Sequence, residues 1–216
     1  MNYEEHLSDT DLCVVAFASD GGKKYDFHDT LEKRGCSYVL MRDTPDRWYT
    51  QGIDGLGDSN VVAAYIHGLS IRYRKVICAG VSFGAWGALM YGQMAAVHEI
   101  VAISPLTAIG KAAQDELAPK WHHRVESEHS LDLKPFFVNT PISPIVRIFI
   151  SDGDGAELDM WMATRLGSCE VVTDPKPDAL KVRARGLFYV SLIPGHTHGG
   201  LAKHMRDTGW FERLFR

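Results

Sequence analysis

The chain has 216 residues, 45% of them hydrophobic and 23% charged, proportions of a globular chain and not of a disordered one. Lys and Arg total 23 against 27 Asp and Glu, a formal net charge of −4, without the basic footprint of a nucleic-acid binder. No stretch approaches the roughly 18 apolar residues that span a bilayer, and the polar, acidic start over residues 1–10 does not read as a secretory signal.

Four scattered cysteines, Cys13, Cys36, Cys78 and Cys169, form no CxxC pair. They read as small hydrophobes in a reducing compartment. The expectation is therefore one cytoplasmic domain over residues 1–216, with neither nucleic acid nor membrane as a partner.

Apolar runs of strand length alternate with helix-period segments. Residues 12–18 form a continuous apolar run, as a strand buried on both faces should. Asp26 is placed to cap a short helix ended by Gly35, and residues 37–41 read as a second strand. A Gly-rich loop over 42–58 leads to caps at Asp58, Ser59 and Asn60. The helix that follows carries Val62, Ile66, Leu69 and Tyr73 on one face. A strand over 75–79 runs into Gly80-Val81-Ser82-Phe83-Gly84, then into a helix over 83–97 that is apolar nearly all round. A strand over 99–103 comes next.

Residues 105–144 are polar and punctuated by prolines, and they are expected to form a lid or cap inserted at about 106–144. Strands over 145–150, 169–173 and 187–193, a helix over 157–166 and one bent or two short helices over 201–215 complete the chain. This alternation predicts an α/β fold: a mostly parallel central sheet flanked by helices on both faces. Ligands in such sheets bind beyond the carboxyl ends of the strands.

Gly80 to Gly84 match G-x-S-x-G between a strand and a helix, the context that this motif requires. The sharp turn would expose the Ser82 oxygen at the top of the sheet, and the flanking glycines would let neighbouring backbone approach. The Phe83 N–H would then stand at a helix N-terminus, available to an oxyanion. A serine needs a base, itself oriented by a carboxylate, and the expected chain order is Ser, acid, His.

Asp154 stands a few residues beyond the strand ending at Ile150 and is the favoured acid. Asp152 is the nearest rival, and Asp159 a weaker one because it lies on the following helix. Pro194-Gly195-His196-Thr197-His198 supplies the base, with His198 favoured and His196 the alternate. A calcium loop at Asp152 and Asp154 fails on spacing. Ten histidines raise a metal reading, but neither HExxH nor HxxEH is present, so no metal and no cofactor is expected.

These motifs resemble those of the α/β-hydrolase superfamily, from Leu12 through the elbow at Ser82, the acid loop at Asp154 and the histidine loop at His198. The chain is also similar to small hydrolases encoded among bacterial polysaccharide and glycan biosynthesis genes. That likeness rests on Tyr25-Asp26-Phe27, Arg42-Asp43, Trp48-Tyr49, Gly52, Gly55, the helix start Ser82-Phe83-Gly84-Ala85-Trp86-Gly87-Ala88-Leu89, and Ile103-Ser104-Pro105-Leu106.

The resemblance implies ester, thioester or amide chemistry through an acyl-serine, with a small-molecule or carbohydrate ester as substrate. One departure is that Phe17-Ala18-Ser19-Asp20 lacks the usual His-Gly pair. The N–H of Ser19 or Asp20 then becomes the candidate second oxyanion donor. Trp48, Tyr49 and Trp121 are candidate substrate-binding aromatics. An esterase acting on an O-acyl carbohydrate leads, with acyltransferase or thioesterase chemistry and a non-catalytic binding protein as alternatives.

Overall fold

The computed structural model describes residues 2–19, 25–44, 47–138, 144–173 and 188–216. Among them, eight strands form one sheet in the order β1-β3-β2-β4-β5-β8-β10-β9. The strands are β1 (Tyr3–His6), β2 (Leu12–Phe17), β3 (Ser37–Met41), β4 (Lys75–Val81), β5 (Glu99–Ile103), β8 (Ile145–Ser151), β9 (Cys169–Thr173) and β10 (Phe188–Ile193). Only β1 runs antiparallel to its neighbour, and the other pairings are parallel.

Side chains alternate across a strand, so successive residues feed two different cores. Cys13, Val15 and Phe17 join one cluster with α2 (Ser59–Arg72) and α3 (Phe83–Met94). Val14 and Ala16 join the other, against α1 (His28–Arg34), α7 (His198–Asp207) and α8 (Trp210–Leu214). Burial on both faces is why these strands read as unbroken apolar runs.

Local chemistry explains the element ends. The Asp58 carboxylate accepts from the Asn60 and Val61 N–H groups at the start of α2. Gly35, at φ 66°, closes α1. The N-cap of α1 is Phe27, with no side-chain cap bond. Asp26 does not serve there because its carboxylate is committed to Ser19. The C-terminal segment is two helices, separated at Gly209 with φ 72°. The first ten residues contain β1, which pairs through its backbone with β3. The four cysteines are free, and all but Cys169 are buried. Among the described residues, no helix is long and apolar enough to cross a membrane.

The segment expected as a lid folds as β6 (Ala108–Ile109), α4 (Lys111–Gln114), a 3-10 turn (Pro119–Arg124), β7 (Leu131–Asp132) and α5 (Lys134–Val138); residues 139–143 lie outside the described set. It is tied to both ends of α6 (Ala156–Thr164). Arg165, just past α6, makes a bidentate pair with Asp132 at 2.5 and 3.0 Å and reaches the Thr107 carbonyl at 3.3 Å. Thr107 Oγ1 donates to the Met162 carbonyl at 2.8 Å. At the other end, Lys120 pairs with Glu157 and Arg124 with Asp154.

Candidate active site

The carboxyl ends of β4, β5, β8 and β10 converge, and the strand-to-helix turn at β4 sets the site. Ser82 has φ 49° and ψ −113°, a left-handed backbone that L residues adopt only when their surroundings enforce it. Its N–H continues the ladder to the Ile103 carbonyl at 2.8 Å, while Ala85 N–H already donates to the Ser82 carbonyl. The turn therefore changes from strand to helix within one residue. A Cβ on Gly80 would stand 2.1 Å from the Gly84 carbonyl oxygen, and one on Gly84 would stand 2.3 Å from that of Phe17. Both glycines of G-x-S-x-G are thus required by contact.

Ser82 Oγ lies 3.5 Å from His198 Nε2, long for a hydrogen bond but ordinary for a catalytic pair without ligand. His198 Nδ1 is 2.8 Å from Asp159 Oδ1. A carboxylate there accepts from Nδ1–H, and in the neutral ring this leaves Nε2 as an acceptor facing the serine. Asp159 is 2% exposed, and its Oδ2 has no partner among the described residues. His198 opens α7, whose N-cap Thr197 accepts from the Gly200 N–H. Ser104, at φ 44° just after β5, donates from Oγ to the His198 carbonyl at 3.3 Å.

The carboxylate on the histidine is thus Asp159 and not Asp154, a correction to the expected acid. Asp154 is 81% exposed and pairs with Arg124 at 3.4 Å. Asp152 accepts from the Gly195 N–H at 2.6 Å. A helical position makes Asp159 the weaker candidate by sequence, yet the sequence also carries a signal for it. Asp159, Met162, Ala163 and Leu166 fall at i, i+3, i+4 and i+7, and all four are buried. A lone carboxylate in an apolar stripe demands a partner. His196, the alternate base, stacks on His204 with centroids 3.9 Å apart and has no contact with Ser82. Burial, and then His196, lower the His204 imidazole below its ordinary value.

The remaining expected residues divide. The Phe83 N–H is the first of α3 and so has no intrahelical acceptor, consistent with a donor role. The Ser19 N–H is corrected as an oxyanion donor: it is spent on Asp26 Oδ2 at 2.8 Å. Asp20 lies outside the described residues.

Tyr49 is likewise corrected as a substrate contact, being fully buried. Its hydroxyl donates to the Ala18 carbonyl and its N–H to Asp43. Asp43 also pairs with Arg47. Trp48, partly buried, lies edge-on to Phe83 and Trp86 at 5.0 and 5.5 Å. Trp121 packs on the small cluster of Ala108, Val125, Leu158 and Met162. A pocket of about 90 Å³ beside the histidine is lined by Leu106, Arg124, Gly155, Leu158, Asp159 and His198. Among the described residues, no group of three or more metal-ligating side chains converges.

No family model and no curated protein matches the chain. Solved structures do. A capsule O-acetyltransferase of Neisseria meningitidis serogroup A is 12% identical, with a TM-score of 0.62 over 98% of this chain and 90% of its own. Acetyl xylan esterase 1 from Thermoanaerobacterium sp. JW/SL YS485 is 13% identical, with a TM-score of 0.55 over 99% and 78%. MenH from S. aureus is 14% identical, with a TM-score of 0.53 over 99% and 97%. At these identities the likeness is one of fold.

Proposed function

We propose that this chain, which has the α/β-hydrolase fold, is a serine esterase working through an acyl-serine intermediate. The Ser82–His198–Asp159 chain of contacts carries the reading. In the proposed cycle, Ser82 Oγ attacks the ester carbonyl while His198 Nε2 takes its proton. Asp159 holds the imidazole in the tautomer that can do so and stabilises the imidazolium that forms. The Phe83 N–H, at the positive end of α3, receives the developing oxyanion. His198 then protonates the leaving alcohol, and water resolves the acyl-serine by the same steps reversed.

An O-acyl carbohydrate, foremost an O-acetyl one, is the proposed substrate. It is supported by the resemblance to hydrolases of glycan gene clusters and by the acetyl xylan esterase among the structural neighbours. Transfer of the acyl group to another alcohol is the second reading. It is favoured by the O-acetyltransferase, which has the higher TM-score of these two neighbours and more of its own length matched. Fluorophosphonate labelling with Ser82→Ala as control tests the nucleophile. Turnover of p-nitrophenyl acetate with and without added sugar alcohols separates hydrolysis from transfer. Failure of the wild type to label, or labelling that survives Ser82→Ala, refutes the reading.

A further inference from the structure

Strands β8 and β10 are parallel neighbours, with Ser151 opposite Ile193. The loops leaving them therefore start side by side. Pro194 has no N–H to continue the ladder, so the next available donor is the Gly195 N–H. It meets the Asp152 carboxylate at 2.6 Å. One residue further on, the Gly153 N–H donates to the His196 carbonyl at 3.0 Å. A Cβ on Gly153 would stand 2.1 Å from that carbonyl oxygen, so the two loops touch backbone to backbone. Gly195 itself has φ 80°, a left-handed turn that glycine adopts readily and also leaves readily. His198 follows three residues later.

We propose that Asp152 is a positioning residue for the base: by accepting the Gly195 N–H it holds the turn that sets His198 against Ser82. The proposal rests on the serine reading above. Asp152 acts through the loop backbone and touches neither the imidazole nor the serine among the contacts described. It is one of several holds on that loop. The Gly153 bond, the His196–His204 stack and the Thr197 cap remain when it is lost. Its removal should therefore loosen the register without dismantling it. Misplacement of a reacting group by about 1 Å costs on the order of 100-fold in rate, and partial loosening should cost less.

The test compares Asp152→Ala with Asp152→Asn. Asparagine keeps an acceptor oxygen for Gly195 but removes the charge. Asp152 is exposed, so both variants should fold, which far-UV circular dichroism and melting will verify. With p-nitrophenyl acetate, Asp152→Ala should lose about tenfold in kcat with KM within twofold. Its fluorophosphonate labelling should slow in parallel, while Asp152→Asn stays within about threefold of wild type. A stability defect alone would leave kcat per folded molecule unchanged. The proposal is overturned if Asp152→Ala matches wild type in kcat and labelling, or if Asp152→Asn is impaired as much as Asp152→Ala. A wild type that does not label, or a Ser82→Ala variant that does, would instead sink the serine reading and this proposal with it.

Discussion

Replacing the carboxylate at Asp159 separates it from Asp154 more sharply than any other change. Asp159 Oδ1 is 2.8 Å from His198 Nδ1, with the aspartate almost wholly buried. Asn in its place could present its NH₂ to Nδ1, which would then become an acceptor and force the ring proton onto Nε2. That nitrogen could no longer take the Ser82 proton, and the charge that stabilises the imidazolium would also be gone. The same exchange in a serine protease triad costs about 10⁴ in kcat, roughly 5 kcal/mol at 1.36 kcal/mol per tenfold. Asp159→Asn should fall by about 10³–10⁴ in kcat with little change in KM. It should melt no lower than wild type, since Oδ2 is buried without a partner and a neutral amide is easier to bury. Asp154→Asn, at an exposed pair with Arg124, should stay within about threefold. Steady-state turnover, labelling rate and calorimetric melting of both variants form the assay. An Asp159→Asn variant within tenfold of wild type beside a dead Asp154→Asn would refute this assignment.

Gly84→Ala should lower the Tm by several degrees, because its Cβ would meet backbone oxygen of Phe17 and Ala18 that has no room to yield; Gly199→Ala, with nothing within 4 Å, should melt at or slightly above wild type, as scanning calorimetry can show. Arg165→Leu strands the Asp132 carboxylate and should cost about 3 kcal/mol, roughly 6–12 °C for a chain of this size. Burial raises the Asp132 carboxyl, but the hydrogen bonds from Arg165 and from the Lys134 N–H, with the positive charges of both side chains, together outweigh it and hold it below the ordinary carboxylate range. That contribution is present above the unfolded-state value and is lost as pH falls through the depressed folded value, so the Tm gap between wild type and Arg165→Leu should narrow on acidification. A gap that widens at low pH would contradict this. With Ellman's reagent the native protein should react quickly at one thiol, Cys169, and at four in denaturant; Cys13 is buried, which pushes its thiol up to about 12.

The parallel strands were legible because a sheet covered on both faces leaves unbroken apolar runs, as at residues 12–17 and 76–81. β1 was not, because Tyr-Glu-Glu-His at the sheet edge is mostly exposed and joins through backbone alone. The serine turn was legible because its glycines are demanded by contacts local to the motif and the adjoining strand. The acid was not, because the carboxylate that meets the histidine is chosen by how α6 packs, a tertiary fact. Trp48 and Tyr49 adjoin in sequence and both have positive φ, yet one is partly open and the other sealed. Which of two neighbouring aromatics is exposed is decided by Asp43 and the Ala18 carbonyl, which hold Tyr49 from distant segments.

The segment over 106–138 grips α6 at both ends, through Arg165 and Thr107 at one and Lys120 and Arg124 at the other. Elements joined this way open together as one cooperative unit in local unfolding. Asp159 rides on that unit, whereas Ser82 belongs to the central sheet and its adjoining helix. Under mild heat or denaturant the acid should leave the histidine while the serine turn stays formed. Amide exchange over 106–138 and 156–166 should then share one opening free energy, lower than that of β4 and α3. Inactivation should track that smaller opening and precede the loss of the sheet.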